Sequence, residues 1–113
     1  MRALAVLEFY VHLSRTAILP ELCVVTIRIS DSAPRKESSL SDLPKDWRAY
    51  PAPPELAAMG ADWVRSRNSL LLRVPSAVMP PEWNILINPA HPEMKGVHIM
   101  EVEKYVFDQR LMS

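Results

Sequence analysis

Two glycines stand against eleven prolines in this chain of 113 residues, and that imbalance narrows both the folds open to it and the ways it can hold a ligand. Glycine supplies the positive backbone angles that tight phosphate-cradling turns need. With only Gly60 and Gly96, neither a Walker loop nor a GxGxxG dinucleotide turn can be built, so a bound nucleotide must be held by other devices. The prolines mark seams. Pro20 ends the turn after the first segment, Pro54 suits the first position of a helix, and PSAVMPPEW (75–83) and NPAHPEMKG (88–96) read as rigid turns.

Between these seams the hydrophobic pattern predicts short elements of both kinds. Residues 2–14 read as a helix that is apolar on nearly every side, the pattern of a helix inside a core. Its polar residues Glu8, His12 and Arg15 share one stripe at i, i+4, i+7. Residues 22–29 alternate as a strand, with Cys23, Val25, Ile27 and Ile29 on one side and Val24, Thr26 and Arg28 on the other. Residues 31–55 read as loop, polar at first and then pinned to the body by Trp47 and Tyr50. A second helix follows from Pro54 to about Arg67, with Leu56, Met59, Gly60, Trp63 and Val64 in helical period and Asn68 as its left-handed terminator. Gly60 costs about 1 kcal/mol there relative to alanine, which suggests the close approach of another backbone. Strands are predicted at 69–74 and 84–87, with alternating segments at 97–102 and 105–107. Helix and strand mix without a regular βαβ repeat. The expected class is therefore α+β, one domain over 1–113 with a mixed or antiparallel sheet and flanking helices.

Composition limits the function classes. Hydrophobic residues make up 49% and charged residues 23% of the chain, so a packed core is expected. Lysine plus arginine equal aspartate plus glutamate at 13 each; the zero balance gives no general attraction to nucleic acid or to anionic membranes. Cys23 is the single cysteine, which rules out an intrachain disulfide and fits a reducing cytoplasm. The apolar start is interrupted by Glu8 and His12 and is too short to span a bilayer. His12, His91 and His98 share no metal-ligand spacing, and no metal site is expected.

Three places concentrate polar chemistry. Glu8 sits among Ala5, Val6, Leu7, Phe9 and Val11, where a carboxylate is costly to bury unless paired. It is either an ion-pair partner of His12 or Arg15, a solvent-facing residue, or part of a site. Ser76 follows a strand in VPSAV and is either an ordinary turn residue or a side chain presented at a strand end. No GxSxG elbow surrounds it. Asn84, Asn88 and His91 cluster in EWNILINPAHP, where turn chemistry competes with ligand binding.

These segments resemble a known family. LEFYVHL at 7–13, SLSDLPKDWRAYPAPPEL at 39–56, LLLRVPSAVMPPEWNILINPAHP at 70–92 and FDQRL at 107–111 are similar, in order, to successive blocks of RES-domain toxins. The family is named for an arginine, a glutamate and a serine; by position, Glu8 matches the glutamate and Ser76 the serine. The arginine belongs to a glycine-rich, RWN-containing segment ahead of these blocks. Arg2 is too close to Glu8 on the same helix to stand for it, and the chain is expected to hold the C-terminal part of the domain.

The resemblance implies a fold like that of ADP-ribosyltransferases and toxicity through consumption of NAD, taken as substrate with no resident cofactor. Members are typically held inactive by an Xre-type helix-turn-helix antitoxin encoded beside them. Cleavage of the nicotinamide–ribose bond passes through an oxocarbenium-like ribose, which a carboxylate such as Glu8 stabilises in a low dielectric. A hydroxyl such as Ser76 would orient the ribose or the carboxamide, with Asn88 a further contact, while the arginine would pair with the pyrophosphate. The alternatives are a catalytically inactive remnant that keeps an antitoxin-binding role, or a plain α+β module. Apolar surface left open by absent strands would favour self-association.

Overall fold

The structure is a computed structural model that describes residues 2–11, 21–106 and 110. His12, Arg15 and the remainder of the helix expected beyond Val11 lie outside the described residues, as does FDQRL apart from Arg110. The elements are α1 (Arg2–Val11), β1 (Leu22–Arg28), β2 (Arg35–Glu37), a 3-10 turn (Leu40–Asp42), α2 (Pro54–Ser66), β3 (Leu71–Pro75), β4 (Trp83–Ile87), a second 3-10 turn (Pro92–Gly96) and β5 (His98–Tyr105). The class is α+β, as expected. The chain forms two compact units, residues 1–29 with 97–113, and residues 30–96.

In the first unit β1 pairs antiparallel with β5 from Leu22↔Tyr105 to Arg28↔His98, and the register shifts between Thr26 and Ile27. The two segments expected at 97–102 and 105–107 are thus one strand with an irregularity, since a bulge shifts the alternation without ending the pairing. Leu22 and Val24 are half-buried, whereas Cys23, Val25 and Ile27 are exposed. The alternation predicted for this strand holds at its start, and the face covered is that of Val24. Helix α1 departs from expectation. Leu4 is buried at 6% exposure and Leu7 half-buried, but Phe9 is 41% exposed and Ala5 is also exposed. A helix apolar all round needs cover all round, and a two-stranded ribbon offers too little surface to give it.

The second unit is built on β3. On one edge it pairs parallel with β2 (Arg35↔Leu71 to Glu37↔Arg73), on the other antiparallel with β4 (Leu71↔Ile87 to Pro75↔Trp83). Being paired on both edges, β3 takes the apolar run: Leu70, Leu71 and Leu72 are all buried. Strand β2 lies within the segment expected to be loop; its residues, Arg35, Lys36 and Glu37, are polar, and all three are exposed. A short charged strand is a common way to end a sheet, and it carries no periodic apolar signal. Parallel neighbours need a long crossover, and residues 38–70 supply it, with α2 inside.

The crossover explains several local choices. Ser39 caps the first 3-10 turn, accepting from the Ser41 amide, and Asp42 accepts from the Ser39 amide in return. Pro54 opens α2 at a position where no amide donor is needed. The helix ends one residue earlier than expected, with Arg67 and not Asn68 in the left-handed conformation at φ 53°. Ser66 assists that ending, its hydroxyl donating to the Trp63 carbonyl and accepting from the Asn68 amide. The Trp63 indole donates to Ser69 Oγ at 2.8 Å, and Ser69 donates to the Leu71 carbonyl, which joins the helix end to the start of β3. Trp47 is half-buried as an anchor should be, but Tyr50 is 98% exposed and pins nothing. PAPPE beside it has stiffness of its own, so the chain needs no tyrosine anchor there.

Asn88 braces the other side of the same junction. It is fully buried; its Nδ2 donates to the Val64 carbonyl, its Oδ1 accepts from the Ala90 amide, and its backbone amide donates to Leu70. Asn88→Ala leaves those side-chain partners unsatisfied in a buried place and should cost about 1–3 kcal/mol, read as a lower denaturant midpoint at unchanged slope. Gly60 gives the opposite expectation. No atom lies within 4 Å of where its Cβ would be, so close backbone approach is not its reason. Gly60→Ala should raise stability by about 0.5–1 kcal/mol, and a thermal melt would show it.

Candidate functional site

The parallel pair β2–β3 sends both strands the same way, so Ser38 and Ser76 emerge at one end of the sheet. The Ser38 amide donates to the Arg73 carbonyl at 2.9 Å. Ser76 continues the β3–β4 ladder by one step, its amide donating to Glu82, while its Oγ accepts from the Met79 amide at 3.0 Å. Both serines are buried, Ser76 completely. Burying a hydroxyl without partners is unfavourable, and here it organises the turn of 76–82 across the mouth of the hairpin. The turn reading of Ser76 therefore describes its geometry, while its position at the carboxyl end of a parallel pair is where α/β ligands commonly sit.

Asn88 lies at the other end of the hairpin. In the register of β3 and β4 it stands beside Leu70, as Ser76 stands beside Glu82. Six residue steps lead from Glu82 to Asn88, about 20 Å at the usual strand rise. Ser76 and Asn88 thus do not meet on one small group. His91 serves its own turn, with Nδ1 accepting from the Glu93 amide at 3.1 Å. Glu8 is half-buried on α1, in the unit that does not contain Ser76.

Two features of the second unit were not legible in advance. The first is a cavity of about 430 Å³ between α2 and the sheet, walled by Leu56, Met59, Trp63, Leu72, Val74 and Trp47. Gly60 and Ala77 also border it, and Lys36, Ser38 and Asp42 give it a polar side. The volume falls in the usual range for small-molecule pockets, about 300–1,000 Å³. Its apolar walls come from segments far apart in sequence, so no local motif announces it. The second is Arg48, whose Nε donates to the Ala77 carbonyl at 2.9 Å. That bond ties the loop before α2 to the residue following Ser76.

Other cations of the second unit are engaged differently. Arg73 pairs with Glu37 at 2.7 Å and lies 4.3 Å from the Trp83 ring centre, a cation–π contact that covers the exposed face of β3. Arg35 donates to the carbonyls of Ser30, Asp31 and Ala33, and Arg65 pairs with Asp62. In the first unit a smaller cavity of about 200 Å³ is bordered by Ala5, Phe9, Leu22, Cys23 and Tyr105. Among the described residues no group of histidine, cysteine and carboxylates could hold a metal ion, and no helix is long and apolar enough to cross a membrane.

Comparison with known proteins places these features in a family. The profile described as RES domain matches residues 2–108, from α1 through the segment after β5. A protein of Sphingobium sp. (strain YBL2) called Prs ADP-ribosylating toxin is 38% identical over 113 residues, covering 98% of this chain and 70% of that protein. Proteins called Toxin Res from Yersinia enterocolitica and Pseudomonas putida are 36% and 37% identical, covering 96% and 95% of this chain and 72% of each relative. The matches embrace the Glu8 helix, the Ser76 strand end and the crossover between β2 and β3, and on them the chain belongs to the RES domain family.

Proposed function

We propose that this chain is the catalytic part of a toxin that cleaves the nicotinamide–ribose bond of NAD, releasing ADP-ribose or transferring it to a protein. The observation that carries the reading is the 38% identity, along 98% of the chain, with a relative called an ADP-ribosylating toxin. In this reading Glu8 stabilises the positive charge that develops on the ribose, because a carboxylate in a half-buried place is worth more than one in water. Ser76 orients the ribose or the carboxamide, and its burial holds the turn that shapes that end of the sheet. The toxin acts in the cytoplasm, where NAD is found, and a helix-turn-helix antitoxin of Xre type restrains it.

Substitution of the two residues tests this. Glu8→Gln keeps size and removes charge; it should lower the rate of NAD loss on the order of 100- to 1000-fold, with an unchanged melting temperature. Ser76→Ala should cost the rate less, since a neutral hydroxyl contributes about 0.5–1.5 kcal/mol net, and should also lower the melting temperature because the Met79 amide loses its acceptor. Normal NAD turnover by a well-folded Glu8→Gln protein would remove the catalytic role of this carboxylate. A folded wild-type protein that leaves NAD intact yet binds its antitoxin would replace the enzymatic reading with an interaction role.

A further inference from the structure

We infer that Arg48 is a positioning residue for Ser76: its bond to the Ala77 carbonyl holds the turn that fixes the serine hydroxyl at the end of the sheet. The inference rests on the NAD reading for the reaction that Ser76 serves. Ser76 is fully buried, its amide donates to the Glu82 carbonyl, and its Oγ accepts from the Met79 amide. The Glu82 amide in turn donates to the Met79 carbonyl at 2.8 Å. All of these bonds lie inside the turn, and Ala77, next to the serine, is exposed. An exposed turn can shift as a body, and a displacement of about 1 Å is enough to spoil the orientation of a group that must meet a substrate.

Arg48 supplies a tie from outside the turn. Its Nε donates to the Ala77 carbonyl at 2.9 Å, across 29 positions of sequence. The loop that carries it is folded before it reaches out. The Trp47 amide donates to the Pro44 carbonyl and the Ala49 amide to the Asp46 carbonyl. Trp47 itself is half-buried and borders the same cavity as Pro75 and Ala77. Trp47 thus seats the loop against the cavity, while Arg48 bonds the backbone at its border. A hydrogen bond from a charged donor is stronger than a neutral one, and the rigid guanidinium plane suits it for setting the direction of one carbonyl. Arg35, Arg65 and Arg73 bond elsewhere, to carbonyls of the 30–33 segment, to Asp62 and to Glu37. The Arg48 bond is exposed, and exposed contacts add little to global stability. Its consequence is geometric.

Two measurements on the whole chain test this. The first is hydrogen exchange of the Met79 amide, which reports its bond to Ser76 Oγ. Arg48→Met keeps the stem and removes the donor; it should speed that exchange several-fold at an unchanged melting temperature. Arg48→Lys keeps a charged donor and should restore the protection in part. The second measurement is NAD turnover below the melting temperature of each variant. An effect passed through Ser76 cannot exceed what the serine hydroxyl contributes, so Arg48→Met should lower kcat about two- to tenfold with KM little changed. In a Ser76→Ala background it should lower kcat no further, whereas a residue that only stabilises the fold would act additively. The inference is overturned if Met79 exchanges alike in wild type and Arg48→Met, or if the two losses in rate add. Its failure and that of the NAD reading can be told apart. A wild type that spares NAD while Met79 exchange depends on Arg48 removes the reading and leaves Arg48 as the residue that positions Ser76. Glu8-dependent NAD loss that Arg48→Met leaves at the wild-type rate removes the inference and keeps the reading.

Discussion

The pairing of β3 on both of its edges is the constraint from which the rest of the second unit follows. A strand with neighbours on both sides has no amide or carbonyl left for water and is best filled with apolar residues, so Leu70, Leu71 and Leu72 are buried together. Because one neighbour is parallel, the chain must travel from one end of the sheet to the other between β2 and β3. That journey creates α2, the loop carrying Trp47 and Arg48, and the cavity between them and the sheet. The hydrogen bonds of Trp63, Ser69 and Asn88 all serve one junction, where the end of α2 meets the beginning of β3. Burial of those polar groups is tolerated because each has its partner.

The same topology explains where chemistry is placed. Ser38 and Ser76 follow strands that run in parallel, so both reach the same end of the sheet, and Arg48 is tied to the residue after Ser76. Asn88 belongs to the opposite end and works as a brace. The sheet thus has a stabilising end, with the buried amide of Asn88, and an end with a cavity and a guanidinium tied to the turn. Such division is common, since a group committed to holding a junction has few donors left for a ligand.

The first unit follows a different rule. Its antiparallel ribbon pairs β1 with β5, yet Ile99, Met100, Val102 and Val25 remain exposed. Two strands and one helix can cover one face of each other and little more, which is why an apolar helix shows Phe9 to solvent. The carboxylate of Glu8 lies on this helix in an intermediate environment, neither fully buried nor fully hydrated. This is the setting in which charge still interacts strongly with a neighbouring cation.

How much of this was legible depended on whether the signal was local. Strand β1, helix α2 and the alternation along β5 were readable because their periods of two and 3.6 are written in consecutive residues. The blocks around Glu8 and Ser76 were readable as a family, because their order along the chain carries the resemblance. Strand β2 was not, since Arg35, Lys36 and Glu37 are strand only through pairing with a segment 36 residues away in the register Arg35↔Leu71. The reason for Gly60 was misread because the sequence shows a glycine but not the empty space beside it. Sequence alone determined the α+β class and the exclusion of glycine-rich phosphate loops, and it named Glu8, Ser76 and Asn88 as candidates for chemistry. Tertiary structure alone decided that Asn88 stands away from Ser76 and that Arg48 is anchored beside a cavity. The physical reason is that burial, pairing and empty volume are properties of segments brought together by folding, and no stretch of consecutive residues contains them.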